Sequence, residues 1–553
     1  MRFWRLCEKR DFSLFAFLCG FWLAAGFGVQ MVQAHAEDDS ISSDGLAAEA
    51  KANEDAGRLK ACGTLFTAAA DASPRHLYHA QRLFNAGRCF RNAGLIGNMI
   101  ESLESLLKKH PKDFLVQWAL FQVASGYEQL ASYSEAARRY EEFAQRYPAV
   151  DQAISALRKA IHFRIALGEL DQALDDMRTF VKYYANRRPI EAAEVDFEMS
   201  TVFEQQENVD KVVQHLKAYL AKWGHRGGVD RQILAHFKLG EIAWNNACPR
   251  QRVHGSCVSV EDVPTGQASS NECPSPRSAN LTVYDRGPRL AKEGQDRFKQ
   301  VVKLWDADYE GRWLRRNLPN PSEAAVREDA IRFAVAGAAF YRAEQVYEAY
   351  LKLKVPSGIY IEQPTAFDSR QEAMRRIRRS EESLRKFQSY RDAKSKHADK
   401  LAGPSKDKMG LYDLVLDYHV DYWSVAAFAR IGQVYKESAN QLHALRIPKD
   451  FQEQDEWGNR SRKIFCDSLA DLAKPIDSNA VCCFGLCLRA TFEGSSFSDW
   501  SALCEGELNQ LRPKEFPLPA EEMPEPSLLS IPIAPAALIS NLPEAVDVTP
   551  GQE

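Results

Sequence analysis

The sequence predicts an all-α protein, an α-solenoid built of stacked helix hairpins, and three observations predict it. Four segments share one skeleton of apolar residues, with matching positions Met99, Ala136, Ala173 and Val212 spaced 37, 37 and 39 residues apart. Within each segment apolar residues recur at i, i+3, i+4 and i+7 on both sides of a polar turn, the pattern of two amphipathic helices. Small residues (Gly87, Ala124, Ala136, Ala173) recur where two helices have to approach closely, and Pro111 and Pro148 fall at helix ends. One such hairpin cannot bury its apolar face alone, whereas a stack buries a continuous core.

The 553 residues begin with an address rather than a fold. Arg2, Arg5, Lys9 and Arg10 precede an apolar run from Leu14 to Val29, then Ala34-His35-Ala36 and three acids. A basic start, an apolar run and a small-x-small site describe a secretory signal over 1–36, cleaved after Ala36. The rival is an uncleaved anchor, since the run is nearly long enough to span a bilayer. Its removal takes away four basic and two acidic residues and moves the net charge from −4 to −6. No basic excess points to nucleic acid.

Residues 50–245 hold the repeats. The first runs through Leu83, Ala86, Gly87, Phe90, Gly94, Met99, Leu103 and Leu106. The second runs through Leu120, Val123, Ala124, Tyr127, Ala131, Tyr133, Ala136, Tyr140 and Phe143. The third uses Leu157, Ala160, Ile161, Gly168, Leu170, Ala173, Met177 and Phe180, and the fourth Met199, Ser200, Phe203, Val209, Val212, Leu216 and Tyr219. The stretch from Tyr127 to Pro148, YEQLASYSEAARRYEEFAQRYP, closely resembles the tetratricopeptide repeat. That resemblance implies paired helices, a superhelical groove and a protein-binding role without catalysis.

A fifth hairpin is interrupted. Leu239, Gly240, Ala243 and Trp244 mark its first helix, and Phe298, Val301, Val302 and Trp305 its second. Between them, 246–287 is an insertion loop rich in Gly, Pro, Ser and Asn that holds three cysteines. A cross-link lowers the cost of ordering so long a loop. Further helical repeats occupy 288–512: a long helix over Ser322 to Leu353, a charged one over Gln371 to Lys400, and a repeat-like stretch over Leu411 to Leu445. The charged helix carries ten basic and five acidic residues, a solvated face or a contact for an acidic partner, a lipid surface or an anionic polymer. Trp457 to Leu511 adds two or three helices with five cysteines. Residues 513–553, with nine prolines, read as a disordered tail.

The segments Ala427 to Tyr435 and Asn509 to Pro517 resemble the ends of long tetratricopeptide proteins of the deltaproteobacterial envelope, which include a myxobacterial gliding-motility component. The pair Cys482-Cys483 departs from that pattern.

Ten cysteines follow the signal: Cys62 and Cys89; Cys248, Cys257 and Cys273; Cys466, Cys482, Cys483, Cys487 and Cys504. In an exported chain all ten are disulfide candidates. The last two groups are odd in number, so full oxidation with Cys62 joined to Cys89 requires a bridge between them. No C-x2-C pair or histidine spacing marks a metal site, and no cofactor motif is present.

No catalytic motif appears. What a repeat array offers instead is a groove lined by first helices. One residue after each leading apolar position gives Phe84, Phe121, Arg158, Phe197 and Phe237, a column suited to an extended peptide or a helix, with Arg88 adding a carboxylate contact. The alternative is that these rings pack between repeats. The expected protein is therefore a periplasmic scaffold or adaptor, associated with the outer membrane or the cell wall, whose partners are envelope proteins or their peptides. The alternatives are a peptidoglycan or polysaccharide binder and a cell-wall hydrolase or lyase. The lyase resemblance would need a Gly-Leu-Met-Gln segment, which the sequence lacks.

Overall fold

The computed structural model describes residues 42–250, 255–262, 273, 279–308, 312–317, 320–356, 364, 368–403, 408–443, 445–448, 451 and 456–518. The signal segment 1–36 and the tail beyond residue 518 lie outside the described residues. The chain divides after Arg139 into two compact units.

The first unit holds α1 (Ser43–Asp55), α2 (Leu59–Ala72), α3 (His79–Asn92), α4 (Ile96–Lys109), α5 (Val116–Gln129) and the start of α6 (Tyr133–Arg146). Each of the first four helices packs on the next. The repeat skeleton supplies the core: Leu83, Ala86 and Phe90 of α3, Met99, Leu103 and Leu106 of α4, and Val116 and Val123 of α5 are buried together. Burying each such side chain contributes roughly 1.5–3 kcal/mol. Close approach explains Gly87, where a methyl group would stand 2.7 Å from Leu103.

The turns reveal the repeat more sharply than the core does. Gly57, Gly94, Ala131, Gly168 and Glu207 all adopt left-handed φ, spaced 37, 37, 37 and 39 residues apart. At each, the following amide reaches back to the carbonyl five residues earlier: Leu95 to Phe90, Ser132 to Tyr127, Glu169 to Arg164. This is the Schellman closure of a helix, and it reverses the chain into the hairpin's second helix. The series includes a hairpin, α1–α2, that apolar patterning did not pick out; Gly57 was its one signal.

The second unit continues with α7 (Asp151–Ala166), α8 (Leu170–Tyr184), α9 (Pro189–Gln205), α10 (Val209–Trp223) and α11 (Val229–Asn246). α12 (Pro288–Ala307) packs on α11 as the second half of the interrupted hairpin. The insertion also carries a two-stranded antiparallel sheet, β1 (Val258–Asp262) against β2 (Ala279–Val283), with Val258 opposite Val283. Its alternating Val-Ser-Val and Leu-Thr-Val were masked in the sequence by the surrounding turn formers. Arg286 fastens its base: the guanidinium lies 2.7 Å from Glu348, donates to the Trp244 carbonyl at 2.6 Å and sits over the Trp244 ring.

Beyond it come α13 (Arg312–Asn317), α14 (Pro321–Lys352), α15 (Arg370–Ala402), α16 (Asp413–Leu416), α17 (Asp421–His443), α18 (Glu456–Glu493) and α19 (Asp499–Leu511). Their core is aromatic. Phe340 on α14 stands 5.2 Å from Trp423 and 5.5 Å from both Tyr412 and Trp500, centroid to centroid. No helix among the described residues is long and apolar enough to cross a membrane.

Candidate functional site

The predicted groove residues divide between the two units. In the first, Phe84 and Arg88 stand on α3 and Phe121 on α5, all half-buried. Arg91 donates to Gln122 at 3.0 Å and so ties these two first helices together. Arg88 is not an idle cation: its guanidinium holds Glu54 of α1 at 2.7 Å while keeping 41% of its side chain exposed. A face with two partly open rings and a pre-oriented guanidinium offers apolar contact beside a fork that matches a carboxylate.

In the second unit Arg158 and Phe197 belong to a charged cluster. Glu194 on α9 receives Arg158 from α7 at 3.3 Å, Arg231 from α11 at 2.8 Å and Arg327 from α14. Arg231 also lies over the Phe197 ring, 5.3 Å from its centroid. Burial pushes the Glu194 carboxyl up, but the three guanidiniums outweigh it and hold it below the usual carboxylate range. Glu198, one turn on, is raised by burial and by Glu194. The cluster fastens four helices together, and Arg158 spends its charge inside it. The sequence signal for Glu194, Arg231 and Arg327 was slight, because single charges on helical stripes read as solvated surface.

Phe237 requires correction. It is 8% exposed, with its ring 6.2 Å from Phe298 and 6.4 Å from Tyr341, inside the core of the second unit. The long insertion hid the reason: α12 and α14 both pack on α11 and cover the side that a regular array would leave open.

The sulfurs stand in four bridges: Cys62–Cys89, Cys248–Cys257, Cys273–Cys466 and Cys487–Cys504. Cys273–Cys466 joins the middle group to the last. Cys482 and Cys483 are free thiols, a correction to the expectation that all ten are oxidised. They are adjacent on α18, where successive side chains diverge by about 100°, and Cys466 and Cys487 are spent on other partners. Among the described residues, the one group of three metal-type donors is Glu54 with Cys62 and Cys89, whose sulfurs are in a bridge.

The basic helix α15 holds a structural base. Lys394 donates to the Tyr350 and Leu353 carbonyls at 2.9 and 3.0 Å, closing the C-terminus of α14. Burial lowers its pKa to about 8 against the pull of Glu437. It borders a cavity of about 300 Å³ lined by Tyr390, Ala398, Val434, Tyr435 and Leu442.

Residues 83–113, which span α3 and α4, match the tetratricopeptide repeat family. No curated protein matches the chain. Among solved structures it is similar to MamA AMB-1, at 19% identity over 33% of this chain and 93% of that one, with a TM-score of 0.24. It is also similar to a tetratricopeptide repeat protein from Parabacteroides merdae ATCC 43184, at 12% identity over 70% of this chain and 98% of the other, with a TM-score of 0.25.

Proposed function

We propose that this chain is an exported scaffold or adaptor of the bacterial cell envelope, which holds protein partners together in a motility or secretion and assembly complex and performs no chemistry of its own. Tetratricopeptide repeats generally bind proteins, and a match to that repeat covers α3 and α4. One observation carries the reading: Phe84 and Phe121 stand partly open on successive first helices, beside an Arg88 that is held in place by Glu54. Rigid rings next to a pre-oriented guanidinium favour an extended peptide or helix over a small substrate.

The reading is tested by affinity capture from bacterial envelope extracts with the full chain and with a Phe84→Ala/Phe121→Ala variant. A reproducible set of proteins that the variant fails to retain supports it. Equal retention by both, or retention of purified sacculi alone, overturns it in favour of another face or of a cell-wall binder.

A further inference from the structure

The two most exposed large apolar side chains among the described residues are Leu77, 85% exposed, and Phe114, 79% exposed. They belong to different loops, the one between α2 and α3 and the one between α4 and α5. Those loops are neighbours, because His79 at the start of α3 meets His110 at the end of α4, ring nitrogen to ring nitrogen, at 2.7 Å. Tyr78 and Trp118, each more than half exposed, extend the patch on either side. The first unit thus carries exposed Leu, Tyr, Phe and Trp side chains in or beside two adjacent loops. Around them Arg75, Lys108, Lys109 and Lys112 are exposed and have no ion-pair partner among the described residues. Asp71 and Asp113 are the acids in these two loop regions, and Asp113 is occupied with the Leu115 amide at 2.9 Å; Asp44 of α1 also reaches the first loop, 3.4 Å from His76, and is paired with Arg82.

We propose that this loop edge docks on an anionic phospholipid bilayer. The shape decides the class of partner. Apolar anchors at a protein interface are ringed by further contacts that exclude water. Leu77 and Phe114 have almost no neighbours and form tips, which a soft medium can receive. Tyr and Trp rings favour the headgroup level, where one end is apolar and the other wet. Lysines and arginines around apolar tips complement the negative potential of an anionic leaflet. This inference goes beyond the scaffold reading: Phe84 and Phe121 lie on helix faces, the tips on loops, and either can fail alone.

The test is hydrogen exchange on the full chain, with and without vesicles of phosphatidylglycerol and phosphatidylcholine in equal parts. Exchange is expected to slow in peptides spanning 72–80 and 109–119 with these vesicles and not with phosphatidylcholine alone. Leu77→Ser/Phe114→Ser should weaken the effect about a hundredfold or more, since it removes two apolar insertions. Phe84→Ala/Phe121→Ala should keep it. Unchanged exchange in both peptides, slowing that is equal on uncharged vesicles, or slowing by soluble polyglutamate without any by vesicles overturns the proposal; the last result marks an acidic protein as the partner.

Discussion

The guanidinium of Arg430 on α17 and the carboxylate of Glu344 on α14 form an ion pair sealed from solvent. Nε lies 2.8 Å from Oε1 and Nη2 3.1 Å from Oε2, with side chains 3% and 0% exposed. Glu344 also accepts from Tyr412 at 2.6 Å and from Ser256 of the insertion at 2.6 Å. The Tyr347 and Trp500 rings flank the guanidinium, each 4.7 Å from it. One pair therefore fastens α14, α17, α19, the insertion and the residue that precedes α16.

Removing one partner leaves a charge buried without compensation. Arg430→Met should cost about 3–5 kcal/mol, while Arg430→Met/Glu344→Leu should recover a large part of it. Urea unfolding of wild type, both single variants and the double variant closes the cycle. A double variant as unstable as the sum of the singles would show that the pair is not coupled.

The hairpin turns give a second prediction. Gly94 and Ala131 occupy the same left-handed position in successive repeats, at φ 76° and 56°. A side chain at Gly94 would meet nothing within 4 Å, so Gly94→Ala isolates the backbone cost, about 1 kcal/mol. Ala131→Gly should stabilise, by up to about 1 kcal/mol, after the extra entropy of glycine in the unfolded chain is subtracted. Thermal melts of both variants should therefore shift in opposite directions.

The two free thiols should be chemically distinct. Cys482 is exposed, whereas Cys483 is half-buried and burial, reinforced by Cys482, pushes its pKa up to about 12. The thiolate is the reactive form. Iodoacetamide on the native chain at pH 8 should label Cys482 and spare Cys483 until denaturant is added. A non-reducing peptide map of the same sample should carry Cys273 and Cys466 in one linked peptide. Equal labelling of both thiols in the native chain would contradict the packing of α18.

The repeat was legible because its signals are local. Met99, Leu103 and Leu106 face one way by helical period alone, and a glycine such as Gly94 marks a turn without help from the rest of the chain. The column through Phe84, Phe121, Arg158, Phe197 and Phe237 was read by extending that local rule, and it failed at Phe237, where α14, distant in sequence, arrives on the far side of an insertion. Glu194 was invisible for a related reason: its three arginines come from three helices, and Arg327 is 133 residues away. The strands β1 and β2 hid behind turn-forming neighbours. Cysteine parity pointed to a link between the second and third groups on the premise of full oxidation; that premise fails at Cys482 and Cys483, and Cys273–Cys466 still joins the groups because losing two thiols leaves the third group odd.

His236 on α11 yields a prediction about acid. Its Nδ1 accepts from Arg297 of α12 at 3.1 Å. Burial first, and the Arg297 charge second, lower its pKa from 6.5 to about 4. The unfolded imidazole takes a proton near pH 6.5 and the folded one only near 4, so between those values the unfolded state binds more protons. Stability from this group is present above pH 6.5 and is lost as pH falls toward 4, by up to about 3 kcal/mol. His236→Gln keeps an acceptor for Arg297 and cannot titrate. Denaturant midpoints of wild type and variant, measured from pH 7 to pH 4, should converge in the acid range or cross there, with the variant losing less. Parallel curves would mean that Arg297 and His236 separate before the proton arrives, so that the imidazole titrates in water in both states.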